Sequence, residues 1–290
     1  RVVPARAITD WQQLPMFMAS DGTTDSAGVI IERHGGTVTM AKTGAQECNG
    51  IQIMLPAALD EEHHSGQAQI APRPISFEFD LFHQPGQEAL SHIPLRKLTY
   101  VAFDTETTGL NPSEGDEIIQ LGAVRIVNGR LLYNECIDQL VNPQRPVSES
   151  SVRVHGIDPT LLPSQPLITE VLPNFHAFAA DAVLVAHNAA FDMRFLQLKE
   201  TQLGLTFDQP VLDTLLLSSV VHPNQTGHSL DAIAERFNIR IVGRHTALGD
   251  ALVTAEILLK LIPLLEAQGI TTLEEAIAAS ARSPFAKISY

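Results

Sequence analysis

Leu98-Thr-Tyr-Val-Ala-Phe-Asp104-Thr-Glu106-Thr-Thr-Gly109 is the stretch on which the fold turns. An apolar run that ends in an acid reads as a short buried strand delivering Asp104 at its C-terminal end. In an extended chain, residues i and i+2 point to the same side, so one strand presents Asp104 and Glu106 together. Two carboxylates side by side are costly without a counter-charge. Hard divalent cations, which take oxygen ligands, relieve that cost. A bare Asp-x-Glu reads equally well as two solvated acids at a strand end. Thr107-Thr108-Gly109 adds a tight turn, and such a turn can aim backbone N–H groups at a phosphate.

Outward from this strand the pattern is mixed α and β. Residues 117–127 and 130–141 are strand-like runs joined by Asn128-Gly129, the strongest short hairpin signal. Residues 171–180 read as a helix, 182–186 as a buried strand and 190–203 as a second helix. Residues 212–220, 230–237 and 247–265 show helical apolar spacing, and Ser229 is placed as an N-cap. Strands first, then helices interleaved with strands, predict an α/β fold with a mixed sheet flanked by helices.

Two further clusters sit at element ends. His187-Asn188-Ala-Ala-Phe191-Asp192 closes a strand and opens a helix. Asp192 reads as a metal ligand or as a simple helix-start acid, and Phe191 as a core residue. His245-Thr-Ala-Leu-Gly-Asp250 precedes the long helix. A histidine titrates near neutrality and can take a proton from water. Four carboxylates and one histidine together suit divalent cations and phosphodiester hydrolysis.

The totals bound this reading. The 290 residues, 44% of them hydrophobic, allow a large core and exclude global disorder. No apolar run is long enough for a transmembrane helix, and no signal peptide is recognisable at the start. Two cysteines, Cys48 and Cys136, give neither a disulfide framework nor zinc spacing, so a cytoplasmic setting is expected. A net charge of −14 argues against coating nucleic acid through bulk positive charge. It leaves a nuclease open, since bound cations invert the local field. The chain begins at Arg1, which fits a piece of something longer.

The ordered set of Asp104-x-Glu106 with Thr-Thr-Gly, His-Asn-x-x-Phe-Asp192 and His245-x-x-x-x-Asp250 resembles the DEDDh 3′→5′ exonucleases, relatives of the proofreading epsilon subunit of bacterial DNA polymerase III. Val154-His155-Gly156-Ile157 and Leu212-Asp213-Thr214 add to the resemblance, which spans about residues 98–265. It implies an RNase H-like fold with a five-stranded mixed sheet. It implies that Asp104, Glu106, Asp192 and Asp250 hold two Mg²⁺ or Mn²⁺ ions and that His245 is the general base. The implied substrate is the 3′ end of single-stranded DNA or RNA, released as 5′-mononucleotides. Thr107, Asn188 and His155 are implied substrate contacts. Asp213 is expected to be a structural acid.

Residues 1–57 are expected to form a small α+β fragment, 58–96 a linker, 97–268 the exonuclease domain and 269–290 a C-terminal helix and tail. Ile30-Ile-Glu-Arg-His34-Gly35-Gly36-Thr-Val-Thr and Gly50-Ile-Gln-Ile-Met-Leu-Pro56 resemble the C-terminal end of a histidine-kinase-type GHKL ATPase domain. The segment lacks an asparagine-rich ATP-binding helix, so ATP binding is not carried over. Residues 75–82 alternate as a strand. The competing functions are an RNA-trimming exoribonuclease and a signalling module that only binds nucleotides or nucleic acid. A polymerase or signalling partner domain in a longer protein is expected.

Overall fold

The computed structural model describes residues 15–18, 24–26, 37–41, 50–54, 88–225 and 227–287. The chain divides into two compact units, residues 1–69 and 70–290. The first holds two antiparallel pairs, β1 (Pro15–Met18) with β2 (Thr24–Ser26), and β3 (Thr37–Ala41) with β4 (Gly50–Met54). The second pair occupies the two stretches singled out in the GHKL-like segment. The strand expected over 75–82 lies outside the described residues.

The second unit opens with a short helix α1 (Glu88–Ser91) and a 3-10 turn over Leu95–Lys97. Strands β5 (Tyr100–Thr107), β6 (Ile118–Val127) and β7 (Arg130–Leu140) follow, then helices α2 (Glu149–His155) and α3 (Ile168–Ala179). Next come β8 (Val183–Ala186), α4 (Ala189–Leu203), β9 (Val211–Asp213) and α5 (Thr214–Val221). The chain ends with α6 (Leu230–Arg236), the long α7 (Ala247–Ala267) and α8 (Leu273–Ala281). The five strands form one sheet in the order β7-β6-β5-β8-β9. Strands β7, β6 and β5 run antiparallel, and β5, β8 and β9 parallel. This is the RNase H-like mixed sheet that the resemblance implies.

Local chemistry explains the element ends. Asn128 (φ 50°) and Gly129 (φ 68°) are both left-handed, the geometry a two-residue hairpin turn demands. Ser229 caps α6 by accepting from the Ala232 N–H, as its position predicts. Phe103 on β5 stacks on Phe175 of α3, and Phe175 on Phe207, at 5.3 and 6.0 Å between ring centroids. Helix α7 packs on β5 and β6.

Two expectations shift. Leu212 and Asp213 belong to a strand, because Val211–Asp213 pairs with Leu184–Ala186 before the helix begins. A short buried apolar run has no period that separates strand from helix. The 58–96 linker is also too long at its far end. Leu95 is fully buried, donates its N–H to the Thr271 carbonyl and accepts from the Tyr100 hydroxyl. Pro94 bridges to Thr272 at the start of α8. The structured unit therefore extends beyond 97–268 on both sides.

Candidate active site

Alternation along β5 turns Asp104 and Glu106 to one face and Thr105 to the other. Directly opposite Asp104 on β6 stands Gly122. A Cβ at Gly122 would come within 2.1 Å of the Ala247 carbonyl carbon and the Leu248 nitrogen. The missing side chain thus lets the first turn of α7 lie flush on the sheet. Gln120, two residues away, secures the contact: its Oε1 accepts from the Ala247 N–H at 3.1 Å, while its Nε2 donates to Asp138 at 2.8 Å. Thr246 caps the helix by accepting from the Gly249 N–H. Gly249 in turn admits the Gly243 carbonyl, which a Cβ would meet at 2.0 Å.

These contacts carry Asp250, in the first turn of α7, to the β5 carboxylates. Asp104, Glu106 and Asp250 each offer an oxygen, and the three oxygens lie within 4.8 Å of one another. All three residues are buried, at 6%, 3% and 4% exposure. A buried, all-oxygen donor set with concentrated negative charge fits a hard divalent cation such as Mg²⁺ or Mn²⁺. Gly122→Ala is predicted to force α7 off the sheet, since the obstructing atoms are backbone. The expected cost is about 1–3 kcal/mol, together with loss of cation binding at the displaced Asp250. Thermal unfolding and Mn²⁺ titration check both.

Asp192 is positioned by a different set of contacts. Strand β8 pairs only with Tyr100–Ala102, so the β8 side of β5 is open from there onward. Asp192, in the first turn of α4, fills the gap: its Oδ1 accepts from the Thr105 N–H at 3.0 Å and from the Thr105 hydroxyl at 2.5 Å. The fourth carboxylate is thereby fixed against the residue between Asp104 and Glu106. His245 has a left-handed backbone (φ 61°) and lies half-buried on the approach to α7.

The remaining predicted residues are placed by local bonds. Thr107, at a bulge in β5, donates its hydroxyl to the Gly109 carbonyl at 2.7 Å and so closes the turn. His155 ends α2, its Nδ1 accepting from the Ile157 N–H at 3.0 Å. Asn188 takes the left-handed turn (φ 62°) that leads into α4.

Asp213 is the acid that holds this turn. Its carboxylate accepts from the Asn188 N–H at 3.1 Å, the Ala189 N–H at 2.9 Å and the Leu215 N–H at 2.8 Å. It thus caps α5 and clasps the entry to α4 at once, the structural part expected of it. Burial pushes its carboxyl up to about 6, against the opposing effect of its N–H donors. A carboxyl raised on folding contributes stability that is complete below its unfolded value and is lost as pH rises through about 6. In Asp213→Asn, the stability difference from wild type is predicted to change by about 3 kcal/mol between roughly pH 3.5 and 6.5, at 1.36 kcal/mol per unit. Denaturant melts across that range check it.

The sequence profile of the exonuclease (RNase_T) family matches residues 101–258, which contain all five predicted chemical residues. The chain belongs to this exonuclease family. A DNA polymerase III subunit epsilon-like protein of Rhodobacter capsulatus is 55% identical over 202 residues, covering 69% of this chain and 29% of the relative. The PolC-type DNA polymerase III of Caldanaerobacter subterraneus is 44% identical over 176 residues, covering 61% of this chain and 12% of the relative. The chain thus spans less than a third of the length of either. Among solved structures, the nuclease domain of 3′hExo, a DEDDh family member bound to rAMP, superposes with a TM-score of 0.51. It is 16% identical, with 61% of this chain and 95% of that one covered. Escherichia coli exonuclease I in complex with a dT13 oligonucleotide gives 0.52 at 15% identity, covering 59% of this chain and 42% of that one. Both show the same fold as this exonuclease domain. No helix among the described residues is long and apolar enough to cross a membrane.

Gly122, Gln120 and Gly249 are not marked by any chemical motif in the sequence. An isolated glycine inside a strand pattern does signal a close backbone approach, so Gly122 carried a readable mark.

Proposed function

We propose that the domain centred on residues 97–268 is a DEDDh-type 3′→5′ exonuclease that removes 5′-mononucleotides from the 3′ end of single-stranded DNA. The observation that carries this reading is the convergence of Asp104, Glu106 and Asp250 on one point, with oxygens within 4.8 Å. Asp104, Glu106, Asp192 and Asp250 hold two divalent cations, Mg²⁺ or Mn²⁺. Bound there, the cations supply charge neutralisation for the attacking and leaving oxygens of the displacement.

The chain's own residues do the rest. His245 accepts the proton of the attacking water. Thr107 and the turn through Gly109 seat the terminal nucleotide, with Asn188 and His155 in supporting contacts. Asp192, fixed on Thr105, keeps its carboxylate from wandering as charge builds at the phosphate. Preference for DNA is supported by the 55% identity to an epsilon-like relative. The same likeness supports a polymerase partner and a cytoplasmic setting.

The test is incubation of 5′-labelled and 3′-labelled single strands, DNA and RNA, with Mg²⁺ and with EDTA as control. A ladder of 5′-labelled DNA shortened from its 3′ end, abolished by EDTA, is expected. Cleavage of RNA alone would move the assignment to an exoribonuclease. No cleavage of any strand would leave a binding module.

A further inference from the structure

Arg244 lies beside the carboxylate trio, and the proposed reaction gives it no role. Its guanidinium is held along two edges. Nε and Nη2 donate to the two oxygens of Asp231, in the first turn of α6, at 2.7 and 3.0 Å. Nη1 donates to Asp250 Oδ2 and stands 3.4 Å from His245 Nδ1. This fork joins the first turns of α6 and α7 across the loop that bears His245.

The partners are unequal. Asp231 is half exposed at its side chain (56%), whereas the Asp250 side chain is nearly buried (6%). Burial works against the charged guanidinium, but the Asp231 hydrogen bond and the charges of Asp250, Asp231 and Asp104 outweigh it and raise the Arg244 pKa. Arg244 is therefore a permanent cation within the field of the trio. A carboxylate oxygen that accepts from a guanidinium has fewer lone pairs for a metal, and a fixed positive charge nearby repels one. A cation arriving at Asp250 must compete with Nη1, while Asp231 keeps the arginine from leaving.

From this geometry we infer that Arg244 is the resident counter-ion of the carboxylate trio, a built-in competitor that occupies Asp250 Oδ2 and yields it to an incoming divalent cation while remaining clamped on Asp231. The inference rests on the cation site proposed above. It makes the affinity of that site a balance between the metal and a built-in competitor. An equilibrium in which the binding-competent arrangement is the minor one weakens apparent affinity by its fractional population.

The test is Mn²⁺ titration by calorimetry, without substrate, on wild type, Arg244→Ala and Arg244→Lys. Removing the competitor is expected to tighten apparent Mn²⁺ binding roughly five- to ten-fold in Arg244→Ala. Arg244→Lys, which keeps the charge but loses the two-edged fork, should fall between. A merely structural arginine would act in the opposite sense: its loss would loosen Asp250 and weaken binding. Unchanged or weaker binding in Arg244→Ala overturns the inference.

A second measurement serves if that variant misfolds. In wild type, the Arg244 Nη1 contact to Asp250 should be lost as Mg²⁺ is added, while the Asp231 contact persists. In NMR spectra assigned with Arg244→Lys, the Arg244 Nε–H signal should shift on saturation yet stay protected from exchange. A signal indifferent to Mg²⁺ overturns the inference as well. The cation-site reading fails separately, and only if wild type shows no Mn²⁺ binding that Asp104→Asn removes.

Discussion

Asp104→Ala is expected to abolish cation-dependent hydrolysis and leave the fold intact. The side chain faces the carboxylate trio, while its backbone belongs to a central strand paired to β6 along its whole length. Alanine keeps that pairing, so the variant should remain folded. Cation-dependent stabilisation of a transition state is worth several kcal/mol, which corresponds to a rate loss of at least about 10³. Asp192→Ala should be as inactive, but less innocent. It strips the buried Thr105 N–H of its acceptor, at a cost of about 1–3 kcal/mol. Asp192→Asn keeps an oxygen for that bond and separates lost chemistry from lost stability. Near-normal nuclease rates in folded Asp104→Ala would sink the site assignment.

His245→Ala is expected to lower the rate by about 10² to 10⁴, the usual contribution of a general base, while sparing most cation affinity. The backbone there is left-handed (φ 61°), which asparagine tolerates better than other non-glycine residues. His245→Asn is therefore the companion variant that preserves the loop. Both should flatten the acid limb of the pH–rate profile, because the group that accepts the water's proton has gone. Equal loss of Mn²⁺ binding in both variants would make His245 a ligand instead.

What the sequence made legible was local. The Asp104–Glu106 pairing follows from the two-residue period of a strand, and the hairpin from Asn128-Gly129. Ser229 announced its helix, and Asp213 its structural part. What it concealed depends on distant residues meeting. Gly122 and Ala247 are far apart in the chain, yet their backbones touch, and that contact decides where Asp250 sits. Asp192 reaches the Thr105 N–H because β8 pairs with β5 only as far as Ala102, and no pattern in the chain marks that stop. Strand β9 is too short to show a period. Leu95 sits in a proline-containing stretch that reads as linker, and only its burial against the C-terminal segment places it in the core.

The pairing of Pro94 with Thr272, and of Leu95 with Thr271, ties the segment that enters β5 to the start of α8. A pull on the chain ahead of β5 is then borne by α8, anchored through its buried Leu273 and Ile277, before it reaches the strand that carries Asp104 and Glu106.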